Sequence, residues 1–186
     1  MLPNISRSRL VTELKRQREL LQQAFALGVP RDYGKLRKLR PVREPSALLG
    51  IGVDTQGREQ RLAPRAARAW QRTCSAASRD GITLQVVSAF RSIEYQLGIF
   101  QRKLDRGLSI TEILRVNAAP GYSEHHSGRA LDITTPGFAA LEEEFENSAA
   151  FVWLQANAQR FGFHLSFPRG NPHGISYEPW HWCWRR

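Results

Sequence analysis

The stretch GYSEHHSGRALDI, residues 121–133, sets two histidines and two serines between Gly121 and Gly128, then breaks into an alternating run that carries Asp132. In RALDI the period of two puts Ala130 and Asp132 on one face of a strand and Leu131 and Ile133 on the other. The aliphatic pair needs a core, so Asp132 is held rigidly on the opposite face. A second stretch, YEPWHWCW at 177–184, sets His181 between Trp180 and Trp182. A catalytic zinc takes three protein ligands from His, Asp, Glu or Cys and leaves one position for water. His125, Asp132 and His181 make such a set, with Glu178 beside it as a candidate base. One histidine alone is more often a satisfied polar group than a ligand. The combination carries the reading. His126 points the other way in an extended loop and is left out of the metal set.

Glu178 and His181 stand three apart, so a regular strand would turn them to opposite faces. Pro179 removes a ladder donor and drives Glu178 towards an extended or turn conformation. The expectation is a strand that begins near Trp180, with Glu178 on an irregular lead-in, so that both side chains face one point.

Around these stretches, helices alternate with short strands. Residues 7–27 read as an amphipathic helix with Leu10, Leu14, Leu21 and Phe25 on one face, widened by Val11 and Ala24, capped by Ser6 or Ser8 and stopped by Gly28 and Pro30. A basic, proline-broken arm follows to residue 45. Residues 48–57 read as a strand, 63–79 as a helix with Pro64 in its first turn, and 82–90 as a buried strand delivering Arg91. Ser92 caps the next helix, Ser109 and Glu112 have capping-box spacing, and Asn147 or Ser148 caps a helix to Arg160. FHLSF and PWHWCW supply further strands. The class is α+β: a small antiparallel central sheet flanked by helices, with an N-terminal helical arm. The division expected is an N-terminal helix and basic arm at 1–45 and a domain at 46–186 that carries the candidate zinc site.

The formal charge of +10, concentrated in the first 45 residues, suits an anionic partner or a solvated basic surface. The arm carries one aromatic, Tyr33, and no nucleic-acid reading module, so no nucleic-acid partner is expected. Cys74 and Cys183 lack metal-ribbon or disulfide spacing. No apolar run reaches the roughly 18 residues of a membrane span. The N-terminus shows no apolar signal core, so a cytoplasmic location is expected, with action in the periplasm or cell wall left open, and the chain is expected to be a monomer.

Three motifs in order, SAFRSIEYQ (88–96), GYSEHHSGRALDI and YEPWHW, resemble the vancomycin-resistance-type D-alanyl-D-alanine carboxypeptidases and dipeptidases, zinc peptidases of cell-wall peptides. The resemblance runs over roughly residues 46–186. Its S-x-H-x-x-G-x-A-x-D pattern is met at Ser123, His125, Gly128, Ala130 and Asp132, and its E-P-W-H pattern at Glu178 to His181. It implies one Zn2+ per chain on His125, Asp132 and His181, Glu178 as base, Arg91 stabilising the transition state, and a peptidoglycan peptide as substrate. Ser123 and Gln96 are candidate substrate contacts, because a terminal carboxylate needs donors. D,D- and L,D-carboxypeptidase, dipeptidase and endopeptidase variants stay open. A catalytically silent zinc-containing module that binds cell wall or a protein is the alternative, and the presence of Glu178 speaks against it.

Overall fold

The computed structural model describes residues 7–185, without the side chains of residues 7–10 and of Glu13. The expected caps Ser6 and Ser8 and the expected face residue Leu10 lie outside that description. Helix α1 (Arg7–Ala26) leads into the short α2 (Tyr33–Leu36). The buried face of α1 is Leu20 and Ala24, with Leu21 and Phe25 partly covered. Leu14 and Val11, expected inside, are 40% and 61% exposed. The described side chains of residues 11–16 are exposed, Arg16 reaching Glu94 at 2.7 Å, and the apolar packing of the helix is made by its later turns, through Leu20 and Ala24.

Strands β1 (Leu49–Val53) and β2 (Glu59–Leu62) make a separate antiparallel hairpin. The second of these strands was hidden in EQRL, of which only Leu62 is buried. Its turn is built on Asp54, whose carboxylate accepts from the amides of Gln56 and Arg58 at 2.8 and 3.0 Å and from the side chains of Arg58 and Gln60 at 2.7 and 2.8 Å.

Helix α3 (Pro64–Arg79) buries Ala66, Ala67, Ala69, Trp70, Thr73 and Ala77, and the alanines let it lie close to its neighbours. After β3 (Gln85–Ser88), helix α4 (Ile93–Asp105) starts on Ser92, whose hydroxyl accepts from the Tyr95 amide. Helix α5 (Ile110–Arg115) carries the full capping box of Ser109 and Glu112. Strand β4 (Ala130–Thr134) follows. Then comes α6 (Ala149–Asn157), capped by Ser148 and extended by a 3-10 turn to Phe161. Gly162 ends that turn with φ 89° and leads into β5 (Phe163–Leu165); β6 (His181–Trp184) is the last element.

These last four strands form an antiparallel sheet in the order β3-β4-β6-β5. Leu131 and Ile133 of β4 face a core shared with α3 and α6, where each fully buried side chain contributes about 1.5–3 kcal/mol. A second core gathers Leu20, Ala24, Val29 and Tyr33 of the arm with Ile93, Leu97, Phe100, Ile113 and Tyr122. The fold is thus α+β, with small antiparallel sheets flanked by helices.

Candidate metal centre

The segment between the two cores carries His125. It sits in a 3-10 turn, Glu124–Ser127, that Gly128 closes with a left-handed φ of 62°. The Gly128 carbonyl accepts from the Ala63 amide at 2.7 Å, and a Cβ at Gly128 would lie 2.9 Å from that same nitrogen. Glycine is required there both by its φ and by the close approach of β2's end.

Each ring nitrogen of the site has a definable task. His125 Nδ1 donates to the Ala89 carbonyl at 2.5 Å. That fixes the proton on Nδ1 and leaves Nε2 as a lone pair. Nε2 is buried with no hydrogen-bond partner and lies 3.2 Å from Asp132 Oδ2. Asp132 stands directly opposite His181 in the β4–β6 register, and its Oδ1 is 3.0 Å from His181 Nδ1. The other His181 nitrogen, Nε2, donates to Glu124 Oε2 at 3.0 Å. One donor atom from each of His125, Asp132 and His181 lies within 4.8 Å of the others, and all three residues are buried. An orphaned imidazole nitrogen, a carboxylate and a second imidazole turned onto one point fit a divalent cation such as zinc.

His126 faces away from this cluster, as its neighbour's placement requires. Its Nδ1 donates to the Arg91 carbonyl at 2.7 Å and its Nε2 accepts from the Gly121 amide at 3.1 Å. Burial holds its pKa down at about 3, so the neutral ring braces the loop.

Glu178 reaches the cluster from the lead-in to β6, with Oε2 3.8 Å from His181 Nδ1. Burial pushes its carboxyl up to about 7, against the pull of His181. Among the protein groups alone, burial would lower the pKa of His181. Its hydrogen bonds to Asp132 and Glu124 overrule that and hold it up at about 10. Burial acts to raise both carboxyls, yet His125 and His181 keep Asp132 well below the carboxylate range, and His181 keeps Glu124 at about 2.

Arg91 follows β3 and sets Nη2 3.9 Å from Asp132 Oδ2, with Nε buried and unpartnered. Gln96 is buried on α4 and donates to the Ala118 carbonyl at 3.2 Å. A carbonyl only accepts, so the amide nitrogen must face Ala118. The free buried atom is Oε1, an acceptor suited to a substrate N–H rather than to a carboxylate. Ser123 is buried, and its hydroxyl makes no cap bond to its own turn.

These groups open onto a cavity of about 400 Å³, also lined by Lys103, Glu142, Tyr177 and Trp180. Tyr122, by contrast, packs edge-on against Tyr33, with ring centroids 5.2 Å apart, in the second core. Glu124 and Lys103 escaped the reading of the sequence. The only trace of Glu124 was its place beside a ligand histidine, and Lys103 sits on a helix face that shows no separate signal.

Residues 59–186 match the family described as VanY: D-alanyl-D-alanine carboxypeptidase. The YodJ protein of Bacillus subtilis (strain 168) is 35% identical over 150 residues, covering 74% of this chain and 53% of that protein. The chain therefore spans about half the length of that curated relative. The structure of the LdcB LD-carboxypeptidase is similar with a TM-score of 0.68 at 33% identity, covering 76% of this chain and 69% of that one. A vancomycin-resistance D,D-pentapeptidase, VanY, in complex with Zn(II), is similar with a TM-score of 0.60 at 28% identity, covering 78% of this chain and 83% of its own.

Proposed function

The chain belongs to the VanY family of D-alanyl-D-alanine carboxypeptidases, and on that premise we propose that it is a zinc-dependent peptidase that removes a C-terminal D-Ala from peptidoglycan peptides, as a D,D- or L,D-carboxypeptidase. The observation that carries the proposal is the buried, unpartnered Nε2 of His125 aimed at the Asp132–His181 pair, with Glu178 3.8 Å from His181. The Zn(II) complex of a relative supports the choice of metal.

In this reading His125 Nε2, an Asp132 oxygen and His181 Nδ1 hold one zinc ion per chain. Zinc bound there supplies a Lewis acid that polarises a peptide carbonyl and acidifies water. Glu178 accepts the proton of the attacking water. It then hands that proton to the departing amine as the C–N bond breaks, so the products are a shortened peptide and a free amino acid. Arg91, through its guanidinium, stabilises the oxyanion that forms on the attacked carbonyl. Ser123 and the Gln96 oxygen hold the peptide in register. The peptidase domain begins near residue 46, and Leu20, Ala24, Val29 and Tyr33 of the preceding arm brace it through the second core.

The test is mass spectrometry of muropeptides ending in D-Ala or D-Ala-D-Ala, incubated with zinc-loaded protein and with Glu178→Ala as control. Loss of a single D-Ala with the wild type alone is expected, and the peptide that reacts separates D,D from L,D activity. Zinc binding with no cleavage of these peptides or of cross-linked wall would overturn the proposal in favour of a silent module.

A further inference from the structure

We infer that Glu124 is a positioning residue that presents His181 to the metal through Nδ1. The inference rests on the metal reading above. The two histidines of the site are oriented by different devices. His125 is set by a neutral backbone carbonyl, that of Ala89, on its Nδ1. His181 is set by a carboxylate on its Nε2, at 3.0 Å. A carboxylate oxygen accepts, so Glu124 keeps a proton on Nε2, and the proton that Nδ1 shares with Asp132 Oδ1 at 3.0 Å is the one a cation displaces.

The carboxylate is itself anchored. Its second oxygen, Oε1, accepts from Arg185 Nη2 at 3.3 Å, and the same nitrogen reaches Ser166 Oγ at 3.2 Å. The Arg185 amide is tied to the Gly162 carbonyl at 2.7 Å, which fixes the root of that side chain. Packing holds the plane of the His181 ring. Phe167 lies 4.8 Å away at a 40° tilt, and the His125 ring is 4.9 Å away. Plane and tautomer are therefore fixed by separate groups, and only Glu124 fixes the tautomer from the side away from Asp132. A carboxylate on the far nitrogen also raises the electron density of the ligating one, and loss of such a partner typically weakens metal affinity about 10–100-fold.

The experiment measures zinc affinity by competition with a chelating dye for wild type, Glu124→Gln and Glu124→Ala. Long-range 1H–15N spectra of the zinc-loaded proteins are recorded alongside. Thermal unfolding of the metal-free forms reports on folding separately. The expected order of affinity is wild type, Gln, then Ala, with the Ala form weaker by about 10–100-fold. The wild type should show a protonated Nε2 and a metal-bound Nδ1 on His181, and that pattern should degrade in the Ala form. If Glu124→Ala fails to fold, the near-isosteric Glu124→Gln decides by the same two readouts. Zinc binding unchanged in both variants, with the His181 pattern intact, would overturn the inference and leave the metal reading standing. A wild type that binds no zinc would remove both.

Discussion

The amide of His181 donates to the carbonyl of Glu178 at 3.1 Å. Pro179 and Trp180 occupy the middle of the turn this bond closes, and β6 begins only at His181. Parity along a strand therefore does not apply between Glu178 and His181, and both side chains reach the same point. Glu178→Ala is expected to keep stoichiometric zinc and to lower turnover by about 10²–10⁴, the usual contribution of a general base. Metal analysis paired with release of D-Ala checks it, and loss of zinc together with activity would assign Glu178 to the ligand set instead.

Arg91 should behave as a group felt in the transition state. Its backbone is pinned by His126 and its guanidinium reaches the metal cluster. Arg91→Ala is expected to lower kcat by about 10²–10³. Arg91→Lys should restore little of it, because a lysine point charge does not reproduce the guanidinium fork. Steady-state kinetics decides; a rise confined to KM would mean that Arg91 only binds the substrate.

Gly121 is expected to be intolerant of a side chain. Its φ is +86°, and an added Cβ would clash with Leu21 Cδ2 on α1. Gly121→Ala should cost about 1–3 kcal/mol in urea unfolding. Adding Leu21→Ala should relieve the clash but not the backbone strain, so recovery would be partial.

Asp54 gives a pH-dependent prediction away from the metal site. Burial acts to raise its pKa, but the Arg58 amide, the Arg58 side chain and the Gln56 amide prevail and hold it below the carboxylate range. A folded pKa below the unfolded value, about 3.9, means the stabilisation is fully present above that value and is lost as pH falls through the folded one. Asp54→Ala should cost about 1–3 kcal/mol at neutral pH by stranding the donors around it. The gap from wild type should narrow below about pH 4. Urea unfolding at neutral pH and near pH 3 measures it; a gap independent of pH would assign the effect to packing.

The parts of this molecule readable from sequence are those governed by local rules. Alternation at Ala130–Ile133 put Asp132 opposite the core, and Ser92, Ser109 and Ser148 marked helix starts that the structure contains. The face of α1 was misread because periodicity gives a stripe but not the length over which a partner exists. Strand β2 was missed because a solvent-washed hairpin has almost no apolar pattern, and its stability comes from one aspartate in the turn. Glu124 was missed for a different reason. Its role depends on a strand 57 residues further along the chain, and no local spacing encodes that.

The segment that carries His125 begins in one core, through Ala119 and Tyr122, and ends in the other, through Leu131 and Ile133. His125 and Asp132 can thus meet at the right spacing only after both clusters have closed. Cation capture then reports assembly of the domain as a whole, so a zinc-responsive dye followed during refolding would register the last event of consolidation rather than the first.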